Sequence, residues 1–264
     1  VKTSFHTGFL TDLPVLEAVA LVRSHGYDYV ELNAETLPWQ GPHVTPETTR
    51  EERAALRRAA EYSAISAHHE DLGHPDDARR RQSTEWTMGL LELAVDLDCP
   101  VAHVIPGANA AMDPLIDSLQ RVVERGSRLG VKVALEPIVE QIIGTSAQAL
   151  QALEDVPGLA INFDPSHLQI MDGDIVAAAT ALGPHSVHAA LKDASGRPGA
   201  WSFPPLGEGD IPFARMIHAL RTTGFDGVVS VEHEAHAFAG DTRPHEQVLR
   251  ESKEFLDALL EDEH

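Results

Sequence analysis

The sequence predicts an α/β fold: one (β/α)8 barrel spanning residues 1–264 as a single domain. Three observations predict it. The length of 264 residues is typical of such a barrel. Strand-like and helical patterns alternate eight times, with no long linker and no low-complexity segment between them. Four strand-like runs in the second half finish on a carboxylate or a histidine, and a parallel barrel opens all its C-terminal strand ends on one face.

The strand-like runs fall near 2–6, 28–33, 63–68, 100–105, 131–136, 159–164, 186–191 and 227–232. Helical patterns follow them near 12–25, 47–61, 77–97, 113–129, 145–154, 172–182, 210–222 and 243–261. Apolar residues in these recur at helical spacing, as Leu90, Leu91, Ala94 and Val95 do. Thr11 and Asp12 precede Leu13-Pro14 as an expected N-cap, and His25-Gly26 closes the same helix. Gly130, Gly158, Gly183 and the run Gly224-Phe225-Asp226-Gly227 punctuate later turns from helix to strand. An open doubly wound sheet would show a glycine-rich phosphate turn after an early strand, and none follows 2–6 or 28–33. The segment 193–209 is the longest loop. Its glycines, prolines and aromatics suit a cover over the mouth.

Composition narrows the function. Forty-one acidic against 20 basic side chains give a formal charge of −21, which opposes attraction to nucleic acid or anionic membranes. Arg57-Arg58 and Arg79-Arg80-Arg81 read as solvated helix faces. No apolar run approaches the ~20 residues that span a bilayer. A single cysteine, Cys99, leaves no intrachain disulfide, and cytoplasm is the default expectation.

The chemistry sits at the strand ends. Glu136, Asp164 and Glu232 each close an apolar run, and a buried carboxylate is costly unless a cation or hydrogen-bond donors compensate it. A helix cap accounts for one of them, since Asp164-Pro165-Ser166 has the look of an N-cap. Three at one mouth favour a divalent cation. Oxygen ligands with imidazole suit Mn²⁺ or Mg²⁺ first, with Zn²⁺, Co²⁺ or Fe²⁺ as alternatives. His167, three residues beyond Asp164, is expected to return to the mouth and bind substrate. His6, His68 and His103 end earlier strands and could line its other half, with His69 turned away from His68. Glu31 is a candidate substrate or structural contact. Lys192 and Asp193 are expected to pair and fix the loop, and Arg197 to hold a substrate hydroxyl or carboxylate.

These motifs, in order, resemble the sugar phosphate isomerase/epimerase family, the xylose isomerase-like barrels related to endonuclease IV. The resemblance covers essentially the whole chain. It is carried by Gly26-Tyr-Asp-Tyr-Val-Glu31, Ser66-Ala-His68, Leu135-Glu136-Pro137, Asp164-Pro-Ser-His167, Leu191-Lys192-Asp193, Leu206-Gly-Glu-Gly-Asp210 and Ser230-Val-Glu232-His-Glu234. It implies a metal held by a glutamate, an aspartate, a histidine and a glutamate at the ends of strands five to eight. Glu136, Asp164 and Glu232 take three of these places. The usual strand-seven pattern is His-Val-His-x-Lys-Asp with its second histidine on the metal. Here Ala190 occupies that position, and His188, the candidate for the fourth metal ligand, lies on the same strand face about 6–7 Å deeper at the ordinary strand rise, from where a bulge at the barrel rim would bring it to the metal.

The resemblance implies an isomerase or epimerase of a keto-sugar or polyol, with Glu136 and Glu232 as acid and base around an enediolate. A dehydratase of the inosose or dehydroshikimate type is the alternative reaction. A metal-poor barrel that binds a small molecule or a partner subunit is the non-enzymatic alternative. The ligand expected is a small sugar, polyol or hydroxy acid, with no nucleic acid and no membrane, and similar proteins commonly form homo-oligomers. The DNA-repair branch requires an Asp-x-His after strand seven, and 193–209 contains no histidine.

Overall fold

Short runs of valine, isoleucine, alanine and phenylalanine, buried on both sides, make the strands, as a parallel sheet covered by helices requires. A computed structural model of the chain describes residues 2–37 and 41–261, so both ends of the expected 1–264 domain lie outside it. The described strands are β1 (Lys2–Phe5), β2 (Val30–Asn33), β3 (Tyr62–Ser66), β4 (Val101–Val104), β5 (Lys132–Leu135), β6 (Ala160–Phe163), β7 (Ser186–Leu191), β8 (Ser195–Arg197), β9 (Ala200–Ser202) and β10 (Val228–Val231). The described helices are α1 (Val15–Ser24), α2 (Arg50–Ala59), α3 (Asp77–Asp96), α4 (Met112–Leu129), α5 (Ser146–Asp155), α6 (Pro165–Asp172), α7 (Ile175–Leu182), α8 (Phe213–Thr222), α9 (Ala235–Phe238) and α10 (His245–Glu261).

Eight strands form one sheet in the order β1-β10-β7-β6-β5-β4-β3-β2, all parallel. The two ends of that order meet through a single bridge between His6 and Glu31 and a hydrogen bond of 3.0 Å from Tyr29 N to Thr3 O. The barrel is nearly closed, with helices between its strands. Phe5, Leu32, Ile65, Val104, Leu135, Phe163 and Leu191 are fully buried in one continuous core. No helix among the described residues is long and apolar enough to cross a membrane.

Three local expectations change. Thr11 and Asp12 do not cap α1, because Pro14 is extended (φ −56°, ψ 142°) and stands at the N-cap itself; the residue before a proline is driven out of the helical region. The expected helix at 172–182 begins later, as α7 at Ile175, and an additional helix, α6, precedes it. Gly173, left-handed at φ 74°, ends α6, and the Asp174 carboxylate accepts from Ala177 N to start α7. The loop at 193–209 contains the antiparallel pair β8–β9, turned through Gly199 at φ 79°.

Candidate active site

The C-terminal strand ends enclose a cavity of about 420 Å³ that Glu136, His167, Lys192 and Glu232 all line. Glu136 follows β5 and Glu232 follows β10, three strands apart around the barrel. Asp164 ends β6 and does two jobs. Its Oδ1 caps α6 by accepting from Ser166 N at 2.7 Å, and its Oδ2 lies 3.1 Å from Lys192 Nζ. His167, in the first turn of α6, has Nε2 3.5 Å from Asp164 and 3.7 Å from Glu136.

Lys192 is where the structure departs most from expectation. It does not pair with Asp193. Its ammonium, buried at 3% exposure, donates to Glu234 at 2.8 Å and Glu232 at 2.9 Å besides facing Asp164. Asp193 instead accepts from Ala194, Gly207 and Gly209 N–H, each at 2.9 Å. Backbone donors in the returning loop hold it more closely than a lysine aimed into the barrel could.

His188 lies one layer deeper. Its Nδ1 meets Asn162 Oδ1 at 2.8 Å and its Nε2 meets Ser63 Oγ at 3.3 Å. Asn162 then donates from Nδ2 to Glu136 Oε2 at 2.5 Å. The histidine therefore reaches Glu136 through an amide, away from Asp164 and Glu232. Ala190 is buried in β7 and brings no donor atom to the mouth. Arg197 is exposed on the β8–β9 hairpin and does not line the cavity.

His6, His68 and His103 form one network. His103 bonds Glu31 at 2.5 Å and His68 at 2.9 Å, and His68 reaches Glu35 at 3.0 Å. His6 bonds Ser66, which donates to Glu35 at 2.8 Å. His69 faces away, its ring against Trp86. Three participants were not singled out from sequence: Glu35, Asn162 and Glu234. Two of them had a signal, because strand alternation puts Asn162 beside Asp164 and Glu234 beside Glu232 on one face. Glu35 follows a strand end by two residues and carried no comparable signal.

Protonation follows from this wiring. Burial opposes charge on Glu136, but the His103 hydrogen bond and the charges of His68, His103 and Lys192 outweigh it and hold its pKa well below the carboxylate range. Burial pushes Glu232 well above that range; Glu234, Glu136 and Glu35 add to this, and Lys192 opposes it. Burial works against the Lys192 ammonium, but Asp164, Glu232, Glu234 and Glu136 hold its pKa well above the ordinary value. A nucleophilic lysine needs the opposite shift.

The donors suit a divalent cation at one corner. Glu136, Asp164 and His167 each offer a ligand atom within 4.8 Å of the others. His167 Nδ1 is buried without a hydrogen-bond partner. This oxygen-and-imidazole set is compatible with such an ion.

Fold and site together define a barrel enzyme architecture with an acidic, histidine-rich mouth. The chain belongs to the xylose isomerase-like TIM barrel family, whose model matches residues 19–259. An L-ribulose-5-phosphate 3-epimerase of Escherichia coli O157:H7 is 26% identical over 234 residues, covering 82% of this chain and 81% of that protein. Among solved structures, the 3-keto-D-glucoside 4-epimerase of E. coli has a TM-score of 0.78 at 17% identity, covering 98% of this chain and 99% of that one. A zinc-bound IolI protein has a TM-score of 0.78 at 18% identity, covering 99% of each chain. At these identities the structural matches speak for the fold.

Proposed function

We propose that the chain is a sugar epimerase or isomerase that moves a proton at the carbon next to a carbonyl, with Glu136 and Glu232 as its two proton-transfer groups. The observation that carries this reading is that two carboxyls, on strand ends three strands apart, line one cavity in contrasting surroundings. Glu136 is pulled toward its ionised form by His103, His68 and Lys192, and Glu232 is pushed toward its protonated form by burial and its carboxyl neighbours, a contrast that suits acid–base chemistry. The E. coli relative, named as a sugar-phosphate 3-epimerase, supports the same class.

In the proposed reaction the Glu136 carboxylate takes the proton from the carbon beside the carbonyl. The C–H pair becomes the carbon–carbon double bond, and the carbonyl oxygen takes the charge as an enediolate. Glu232 returns a proton from the other face, which inverts that carbon. Exchange with water then resets both carboxyls. Asn162 holds Glu136 Oε2 at 2.5 Å, and His68 Nε2, 3.6 Å from the same oxygen, steadies its negative charge. Where a divalent ion is bound, Glu136, Asp164 and His167, with Glu232 across the mouth, would hold it, and Mn²⁺ or Mg²⁺ (or Zn²⁺, Co²⁺ or Fe²⁺) would supply Lewis-acid polarisation of adjacent substrate oxygens.

The test is to incubate the protein with a panel of ketoses in D₂O and follow the carbons flanking the carbonyl by NMR. An epimer or aldose appearing with deuterium at that carbon is expected. Exchange with none of the ketoses would overturn the reading.

A further inference from the structure

The charge distribution of the same pocket restricts what can enter it, an inference that rests on the epimerase reading. Among the described residues, Glu35, Glu70, Glu136, Glu140, Glu232 and Glu234 line the cavity with one cation, Lys192. That ammonium is already committed to Glu234, Glu232 and Asp164 at 2.8, 2.9 and 3.1 Å, so its three N–H groups have no donor to spare.

Where a (β/α)8 barrel takes a phosphate, it is frequently in the loops after strands seven and eight. Here the chain's own carboxylates hold both places. After β7, converging N–H groups of Ala194, Gly207 and Gly209 close on Asp193, each at 2.9 Å. Such a backbone nest would otherwise suit an anion. After β10, Glu234 stands at the start of α9 with its carboxylate on Lys192. A phosphate dianion in this cavity would meet carboxylates on several sides and no uncommitted donor cation among the described residues.

Part of the wall is apolar. Trp201, Phe203 and Phe238 form one cluster with ring centroids 4.7, 5.2 and 5.6 Å apart, and all three line the cavity. Their apolar faces suit the C–H face of a sugar ring, while the carboxylates opposite accept from its hydroxyls.

We propose that this site takes an uncharged keto-sugar, laid against the Trp201–Phe203–Phe238 wall, and discriminates against the phosphate ester of the same sugar. The specificity is built from charge: the acidic lining disfavours the ester, and the Lys192 ammonium that would bind it is already committed to carboxyls.

The test uses matched pairs, D-tagatose with D-tagatose 6-phosphate and L-ribulose with L-ribulose 5-phosphate. Equilibrium binding to the intact protein is measured by calorimetry, with and without added Mn²⁺, alongside deuterium exchange. The expected result is at least tenfold tighter binding of a free sugar than of its ester, together with no competition from inorganic phosphate. Trp201→Ala should weaken free-sugar binding several-fold, and an unchanged affinity would overturn the proposed wall. Equal or tighter binding of the esters overturns the substrate class, as does failure of every sugar and ester to bind. Free sugars that bind with the expected preference but never exchange deuterium would overturn the epimerase reading and leave the charge discrimination standing.

Discussion

At the residue scale, the capacity of the mouth to hold a cation would turn on Ala190 in β7 and Lys192 just beyond its end. Ala190 removes a donor from the place where the family pattern has a histidine, and Lys192 brings an ammonium to within 3.1 Å of three carboxyls. An ammonium and a divalent ion attracted by the same oxygens compete for them. Lys192→Met should therefore raise Mn²⁺ affinity at least tenfold over the unaltered protein, read by calorimetric titration of metal-stripped samples. Equal affinities would mean that the ion and the lysine use separate sites. Residue identity was legible here, because Glu136, Asp164, Glu232 and Lys192 all end apolar runs and His167 follows Asp164 by three residues. Partnership was less so. The sequence places Lys192 beside Asp193, yet the side chain's four-carbon stem carries its charge across the mouth, a distance that adjacency in the chain does not report.

At the scale of elements, the loop after β7 is held by one carboxylate. Asp193 accepts three backbone N–H groups across 194–209, and leaving such buried donors unsatisfied costs about 1–3 kcal/mol each. Gly209 is pressed so close that a Cβ there would lie 2.3 Å from Asp193 Oδ1. Gly209→Ala should thus destabilise the protein by roughly 1–3 kcal/mol, as overpacking does, and loosen the β8–β9 hairpin. Thermal unfolding reads the first effect and amide hydrogen exchange across 193–209 reads the second; an unperturbed Tm would contradict the tight contact. The eight barrel strands were readable because parallel strands buried on both faces are continuous apolar runs. The short elements α6, α9 and β8–β9 were not. They depend on Asp164 capping, on Gly173 and Gly199 adopting positive φ, and on contacts distant in sequence, where periodicity gives no signal.

Across the whole molecule, buried histidines set the pH range of stability. Burial lowers the pKa of His188 and His233 to about 4 from the ordinary 6.5. Between those values the unfolded chain binds more protons, so stability rises with pH. His103 works in the opposite sense. Burial opposes its charge, but hydrogen bonds to Glu136 and Glu31 raise its pKa to about 10. Its contribution is complete below pH 6.5 and is lost as pH climbs through about 10. Glu35 adds to the acid side: burial opposes its charge, but His68 and His6 lower its pKa to about 2, so its contribution fades below the ordinary carboxylate value of 4.5. In chelator, Tm should peak near pH 6.5 and fall on both sides. A steady rise from pH 6.5 to 9 would contradict the His103 pairing. The large acidic excess, readable from composition alone, reappears as the carboxylate-lined cavity.

Proton exchange by Glu136 and Glu232 with opposite faces of one substrate carbon is the core of the proposed chemistry. It is tested most directly by deuterium incorporation from D₂O, starting from each of the two epimers, in the unaltered protein, Glu136→Gln and Glu232→Gln. The variants should fold normally, since each keeps the side chain's size, and each should lose epimer formation by about 10²–10⁴-fold, the usual contribution of general acid–base catalysis. Each should retain wash-in of deuterium from only one epimer, the one whose C–H faces the surviving glutamate, and the two variants should retain opposite ones. Near-normal epimerisation in both variants, or loss of exchange from the same epimer in both, would contradict the two-carboxyl account.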